Sequence, residues 1–221
     1  ALMVAMPVGI YSALHQYSVL DYVATTFTFF GVSIPVFWFG IMMIYLFAVW
    51  HPWTVIPALS WLALPPGGIS TPGVGGGLPF YLDRLRYMLL PSVVLALLSM
   101  ATYTRYTRSS MLEVIRQDYV RTARSKGLAE RTVINRHALR NALIPLVTIV
   151  ALSISGLFAG APITETVFAW PGVGRLLVDS VIGGDYVAAQ AVLMFLAVLV
   201  LVFNLVADLG YALLDPRIRY D

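Results

Sequence analysis

The sequence lacks cysteine altogether and has few charged residues. Without cysteine, disulfides, thiolate metal sites and thiol nucleophiles are excluded. Charged residues make up 11% of the 221 positions, whereas soluble globular domains carry about 25%. The phosphate-binding loop G-x-x-x-x-G-K-[ST] is also absent. The chain is therefore not a typical soluble domain and cannot hydrolyse ATP with that loop, and lipid is expected to solvate much of its surface.

Long uncharged runs take the place of the missing charges. Hydrophobic residues make up 59% of the chain, and after Asp21 four stretches of 18 or more residues contain no charge. An apolar helix of about 20 residues crosses the hydrocarbon core of a bilayer, and helices satisfy every backbone amide inside it. The sequence predicts one all-α, polytopic membrane domain over 1–221, with full spans at 22–50, 87–104, 141–163 and 186–212.

The first residues differ from the start of a typical membrane protein. Residues 1–14 are uncharged, lack an initiator Met and open inside an apolar run. A signal peptide begins with a basic region, whereas the first Lys or Arg here is Arg84. We therefore interpret 1–14 as the end of a further, truncated span.

Basic residues concentrate in 105–140, which we call the basic island. It holds nine of the 14 Lys and Arg residues and only three acids. The positive-inside rule places such a segment on the cytoplasmic side of the membrane. The C-terminus is then cytoplasmic as well, and 51–86 and 164–185 are extracytoplasmic loops.

Two helices around a glycine are predicted within the basic island. Met111, Ile115 and Tyr119 recur every fourth residue, as on the apolar face of an amphipathic helix. Gly127 is a natural helix stop, and a second helix is predicted over 128–140. The two helices would form a compact docking surface for a partner. The alternative is a basic helix that lies on anionic lipid.

The predicted spans contain no catalytic or metal-binding constellation. The three histidines fall at or beyond span ends, and no paired carboxylates or lysines lie in mid-span, where ion-coupled carriers keep ionisable groups. Small and polar residues predict helix packing or a substrate pathway instead: Ser153, Gly156, Gly160, Asn204 and Asp208. Such residues let a second helix approach closely; the alternatives are room along a pore and ordinary contacts between helices. Four and a half helices need a partner to enclose a path.

The loop at 164–185 is half apolar and is punctuated by proline and glycine. Glu165, Phe168, Trp170 and Pro171 are candidates for an extracytoplasmic gate, if the apolar part dips back into the helix bundle. Interfacial anchoring by the aromatic side chains is the alternative.

Four segments, in the right order, resemble the membrane subunits of bacterial ABC importers for dipeptides, oligopeptides and nickel: 107–128, 136–148, 165–177 and 208–219. These subunits carry a Glu-Ala-Ala-x-x-x-Gly signature. Arg121 and Thr122 stand here in place of Glu and the first Ala, whereas Ala123 and Gly127 fit. The resemblance is strong over 83–219.

This resemblance implies a type I ABC importer transmembrane domain, a non-catalytic permease in the bacterial inner membrane. The family pairs it with a second, homologous permease, two ATP-binding subunits that hold ATP and Mg²⁺, and an extracytoplasmic substrate-binding protein. Membrane lipid is the remaining implied partner. The resemblance implies neither a nucleic-acid partner nor a cofactor in the chain itself. Peptides are the implied cargo, with nickel, haem or another small solute as alternatives. A self-contained channel or secondary carrier is the competing class.

In this family, a short helix around the signature glycine couples the permease to the ATPase. The resemblance implies that role for the following residues: Arg121, Thr122, Ala123, Ser125, Lys126, Gly127, Leu128, Ala129 and Glu130.

Overall fold

The computed structural model describes residues 1–50, 62–158 and 161–214, without the side chains of 207–214 and of six positions in 151–158. All regular structure in these residues is helical, which confirms the predicted all-α class. The helices are α1 (Leu2–Leu14), α2 (Val19–Ser33), α3 (Val36–Ile44, continued by the π-helical segment Tyr45–Trp50), α4 (Leu78–Ile115), α5 (Asp118–Ser125), α6 (Glu130–Thr132, continued by the π-helical segment Val133–Ala138), α7 (Leu139–Ala142), α8 (Ile144–Phe158), α9 (Pro162–Val167), α10 (Val173–Ile182) and α11 (Tyr186–Leu214).

Among the described residues, two helices are long and apolar enough to cross a membrane by length and composition. α4 has 38 residues and contains an 18-residue stretch with a mean hydropathy of 1.6, and the 21-residue part Tyr186–Val206 of α11 contains one with a mean hydropathy of 2.6. α2 and α3 add a third crossing if they are counted as one broken span. The predicted span 141–163 contains α8, which has 15 residues and is followed by 159–160, outside the described residues. The prediction of four full spans therefore stays a prediction.

Proline has different consequences at three positions. The predicted span 22–50 is two helices, because Ile34 and Pro35 adopt extended conformations between them, as the steric restriction ahead of a proline favours. α4 continues through Pro91, although proline inside a helix favours a break or a bend. Pro145 lies in the first turn of α8, where its missing N–H is not needed.

α4 reaches beyond the predicted span 87–104 at both ends. It begins at Leu78, inside the predicted outer loop, and ends at Ile115, inside the basic island. At about 1.5 Å per residue it is about 57 Å long. α4 ends in a tight turn, in which the amide of Arg116 donates to the Glu113 carbonyl at 3.3 Å.

Contacts divide the chain into two compact units. The first contains Ala1–Ile34 and Ala96–Val150, and the second contains Pro35–Leu95 and Ala151–Asp221. Each unit joins segments that are distant along the chain, so its packing depends on long-range contacts that a local sequence pattern does not reveal.

In the first unit, α1 and α2 pack closely against α4. A Cβ atom on Gly9 of α1 would lie 2.7 Å from Cβ of Thr107. A Cβ atom on Gly31 of α2 would lie 2.4 Å from Cβ of Ala101. Both distances are too short for real side chains, so glycine is what allows these helices to approach α4.

In the second unit, α9 packs against α3 and α10, and α10 packs against α11. Phe168, which follows α9, is 1% exposed, and Leu90 and Val94 of α4 are equally buried. α11 leaves large apolar side chains such as Val187 and Met194 exposed. An exposed apolar face of this kind is typical of contact with lipid or with another subunit.

Candidate functional site

The middle of the basic island forms a small protruding hairpin, residues 118–132, which we call the basic knob. It consists of α5, a four-residue turn at 126–129, and α6. Every residue over 124–132 is exposed. The knob carries four basic and two acidic side chains, so it presents a net positive surface.

The knob is anchored by an apolar cluster beneath α5, which we call the knob cluster. Its buried members are Val120, Ala123, Val133 and Ala138. Val114 and Ile115, at the end of α4, pack against the same cluster. Ala123, one of the residues implied to contact an ATPase, is 5% exposed. It therefore supports the surface of the knob and does not form part of it.

Gly127 turns the chain at the tip of the knob. Its φ angle is +74°, in the left-handed region that costs an L-residue about 1–2 kcal/mol. The amide of Gly127 donates to the Arg124 carbonyl at 2.9 Å, and the amide of Lys126 donates to the Thr122 carbonyl at 3.1 Å. These bonds satisfy carbonyls at the end of α5, as at many helix C-termini. The predicted helix stop at Gly127 is confirmed.

The predicted second helix begins later than expected. Its first helical residue is Glu130, not Leu128. Leu128 and Ala129 instead belong to the turn, where both are exposed and Leu128 is 41% exposed. The turn therefore presents one large apolar side chain, with Lys126 and Arg131 close to it in sequence.

An ion pair closes the turn. Nη2 of Arg124 lies 2.7 Å from Oε1 of Glu130, and Nε of Arg124 donates to both carboxylate oxygens at 3.2–3.3 Å. The hydrogen bonds from Arg124 hold the pKa of Glu130 below its usual range, with a smaller opposing effect of burial. The same bonds raise the pKa of Arg124. The end of α5 is thereby held to the start of α6.

Two hydroxyl groups of the knob are bonded to its own backbone. Thr122 donates to the Asp118 carbonyl at 2.9 Å, and Ser125 donates to the Arg121 carbonyl at 3.1 Å. Arg121 and Lys126 are exposed, and the ion pair of Arg121 with Asp118 is long, at 3.8 Å. Exposed pairs of this kind contribute little, so the basic side chains remain available to a partner.

Tyr119 does not extend the apolar face of α4, contrary to the sequence prediction. The break after Ile115 places Tyr119 on α5, where it is 42% exposed. Its hydroxyl accepts a hydrogen bond of 3.0 Å from Nδ2 of Asn141. Met111, by contrast, is fully buried as expected. Burying Val120 under the knob requires the turn that separates Tyr119 from Met111.

One candidate gate residue, Glu165, lies on α9, and the other three, Phe168, Trp170 and Pro171, lie in the turn between α9 and α10. Oε1 of Glu165 accepts from the Ala161 amide at 2.9 Å, and Oε2 accepts from the Arg175 amide at 2.7 Å. One carboxylate therefore satisfies orphan amides at the starts of both helices. A Cβ on Gly172 would lie 2.2 Å from Cδ of Glu165, so a larger residue there would displace the carboxylate.

One aromatic side chain of this turn, that of Phe168, is directed inwards. Phe168 is buried, and its carbonyl accepts from the Gly68 amide at 2.8 Å. A Cβ on Gly40 of α3 would lie 3.3 Å from the Phe168 ring. Trp170 is half-buried and Pro171 is exposed. The geometry at Phe168 agrees with an apolar segment that dips back, and the gating role stays a prediction.

The predicted packing or pathway residues are only partly described. Ser153 and Asn204 are half-buried. Within the described part of the chain, no atom lies within 4 Å of the Cβ position of Gly156. Gly160 and the side chain of Asp208 lie outside the described residues. Among the positions that the structure covers, no group of three or more His, Asp or Glu side chains is placed to hold a metal ion.

A known family pattern matches nearly the whole of this chain. Residues 5–220 match the family described as binding-protein-dependent transport system inner membrane component. The chain belongs to this family. Membership places it among membrane components of transport systems and confirms the resemblance drawn from its sequence.

Three transport permeases are similar in sequence to this chain. It is 44% identical over 220 residues to the oligopeptide transport system permease protein AppB of Bacillus subtilis. It is 41% identical over 217 residues to the di/tripeptide transport system permease protein DppB of Pseudomonas aeruginosa. It is 39% identical over 225 residues to the dipeptide transport system permease protein DppB of Escherichia coli K12.

These alignments cover 96–100% of this chain and 65–66% of each relative. The chain therefore spans just under two thirds of the length of these inner membrane components.

One residue of the knob was missed by sequence reasoning. Arg124 lies at a variable position of the family signature and was not among the implied contact residues, yet it holds the turn together through Glu130. The available signal was a basic and an acidic residue on either side of Gly127, six positions apart. A chain that reverses at the glycine brings such a pair together.

Proposed function

We propose that this chain is the permease subunit of an ATP-driven importer of di- and oligopeptides. The family match supports a transport role, and the names of the three relatives support peptides as the cargo. The chain would form half of a translocation path and would itself be non-catalytic. A second, homologous permease would supply the other half.

The single observation that carries the coupling role is the basic knob. It is exposed over 124–132 and is fixed from beneath by the knob cluster. An exposed surface that packs on an apolar cluster suits insertion into a cleft on an ATP-binding subunit. The apolar side chain of Leu128 would be buried in that cleft, and the surrounding basic residues would face acidic groups.

This role fixes the orientation and the remaining partners. The basic island and the C-terminus would be cytoplasmic, where two ATP-binding subunits hold ATP and Mg²⁺. The turn between α9 and α10 would face the extracytoplasmic substrate-binding protein. In the assembly, the residues of this chain would not take part in ATP hydrolysis. They would convert the movement of the ATP-binding subunits into opening and closing of the path.

Substitution of Leu128 tests the docking role. Leu128→Glu places a charge at the tip of the knob without emptying a packed core, because the side chain is 41% exposed. In the complete transporter we expect peptide uptake to fall at least tenfold and the ATP-binding subunits to co-purify less well, since truncating a central interface contact costs about 2 kcal/mol or more. Radiolabelled dipeptide uptake and subunit stoichiometry are the measurements.

Leu78→Glu is the matched control. Leu78 is 70% exposed and begins α4, at the end of that helix opposite the knob. It should leave both subunit stoichiometry and uptake within twofold of the wild type. Normal uptake by Leu128→Glu would refute docking through the knob. A wild-type chain that transports with no ATP-binding subunit bound would refute the proposed function and favour a self-contained channel or carrier.

A further inference from the structure

An ion pair between a buried carboxylate and a half-buried guanidinium joins three helices of the first unit. Nε of Arg108 on α4 lies 2.7 Å from Oδ1 of Asp21, and its Nη2 lies 3.1 Å from Oδ2, on the first turn of α2. Nε of Arg108 also donates to Oγ of Ser12 on α1 at 3.1 Å. The Ser12 hydroxyl donates in turn to Asp21. A two-pronged pair of this kind fixes orientation as well as distance.

The turn between α1 and α2 is built around the same carboxylate. The amide of Tyr17 donates to Oδ2 of Asp21 at 2.9 Å, and Tyr17 has a φ angle of +64°. Oγ of Ser18 caps α2 by accepting from the Asp21 amide at 3.2 Å. Asp21 is only 3% exposed. The carboxylate therefore organises a strained turn and is screened from water.

The ion pair lies one turn of α4 away from an apolar connection to the knob. Next to Arg108, a second cluster, which we call the inner cluster, comprises Ala13, Met111, Ile134 and Ala142. Val114 and Ile115 pack against both the inner cluster and the knob cluster. Continuous packing thus runs from α1 through the end of α4 to α5, entirely within the first unit.

We infer that Arg108 and Asp21 are positioning residues that make α1 and α2 move with the basic knob. This inference rests on the proposed function, because it assigns the pair a part in transmitting the movement of an ATP-binding subunit. The clusters carry displacement through packing, but packed helices can slide past one another. The two-pronged pair prevents sliding at the point where α1, α2 and α4 meet. Without it, the knob would move while α1 and α2 lag behind.

The test uses the complete transporter, reconstituted with its binding protein and a dipeptide. Asp21→Asn, Arg108→Gln and Arg108→Lys are compared for peptide transported per ATP hydrolysed. We expect roughly a tenfold loss for the first two, within the range of about 5–150-fold that is typical of coupling between distant sites. Arg108→Lys keeps the charge but not the two-pronged geometry, and should recover part of that loss.

Two further variants separate positioning from general stability. The double variant Asp21→Asn/Arg108→Gln should be no worse than either single variant, because both act on one contact. Arg105→Gln is the matched control: this exposed arginine, one turn earlier on α4, makes no ion pair within the described part of the chain. It should leave the transport ratio within twofold of the wild type.

The possible failures are distinguishable. If ATP-binding subunits co-purify and the variants keep the wild-type transport ratio, the positioning role is wrong and the proposed function stands. If even Arg108→Lys fails to assemble, the pair is a determinant of folding only, and the inference is overturned. If the wild-type chain binds no ATP-binding subunit, the proposed function itself fails.

Discussion

At the scale of single residues, Glu130 and Arg124 make the knob sensitive to acid. The hydrogen bonds from Arg124 lower the pKa of Glu130 in the folded protein. A lowered carboxylate pKa means that the pair stabilises the fold above the ordinary glutamate pKa of about 4.3, and that this contribution is lost as the pH falls through the lowered value. The side chains are 39% and 60% exposed, so the contribution is small, about 0.2–1 kcal/mol.

We therefore predict that acid loosens the turn of the knob through Glu130. The amides of Thr132 and Val133 both donate to the Ala129 carbonyl, and their protection against hydrogen exchange, corrected for intrinsic pH dependence, should drop between pH 6 and pH values below ~4. Glu130→Gln should show low protection throughout and little change with pH. Glu113→Gln, at an exposed glutamate of α4, is the control and should behave as the wild type. A wild-type pH response in Glu130→Gln would contradict the assignment.

Residues with a local role were predicted better than residues with a distant partner. The stop at Gly127 was predictable, because the conformational freedom of glycine acts on its own turn. Asp21 was not singled out, because its partner Arg108 is 87 positions away. The turn before α2 contains no Lys or Arg, and the basic partner of Asp21 comes from α4.

At the scale of elements, the turn between α9 and α10 depends on one carboxylate. Glu165→Gln keeps the size of the side chain but directs an NH₂ group at either the Ala161 or the Arg175 amide. We predict that the opening free energy of these amides falls by about 1–3 kcal/mol, the cost of an unsatisfied buried group. Hydrogen exchange of the purified assembly measures it.

Asp179→Asn provides the comparison for that element. Asp179 lies on α10 and its carboxylate is 3.4 Å from Nε of Arg175, with side chains 58% and 34% exposed. An exposed pair at this spacing contributes about 0.3–0.5 kcal/mol, so the control should change the same amides by no more than that. Equal effects of the two variants would show that Glu165 has no special role in the turn.

Element boundaries were predictable where proline or glycine sets them and not elsewhere. The break at Pro35 followed from its effect on the preceding residue. The break after Ile115 carries no such signal, because Arg116 and Gln117 are ordinary helix formers. It arises from burying Val120 under the knob, which is a tertiary effect. α4 is also longer than the uncharged stretch 87–104. Charged residues at its ends are compatible with helix outside the apolar layer, so the absence of charge does not mark where the helix begins or ends.

At the scale of the whole molecule, the absence of cysteine makes orientation directly measurable. Lys126→Cys lies in the exposed turn of the knob, and Gly75→Cys lies in the predicted outer loop, where no described atom is within 4 Å of its Cβ position. With a membrane-impermeant maleimide, we predict labelling of Gly75→Cys in intact spheroplasts and of Lys126→Cys only in inverted vesicles.

Each of these two variants is the control for the other, and the cysteine-free parent reports background labelling. The reverse pattern of labelling would invert the proposed topology and remove the knob from the side where ATP is available. Gly75 and Lys126 are separated by α4, which is long and apolar enough to cross a membrane once. Labelling of both variants from the same side would mean that α4 does not cross.

The pairing of Asp21 with Arg108 also has a consequence for biogenesis. The two residues are 87 positions apart, and bacterial ribosomes add about 5–20 residues per second. Roughly 4–17 s therefore pass between the synthesis of Asp21 and that of Arg108. During that interval the hairpin of α1 and α2 has to keep Asp21 hydrated at the membrane surface, and it can settle against α4 only after Arg108 has left the ribosome.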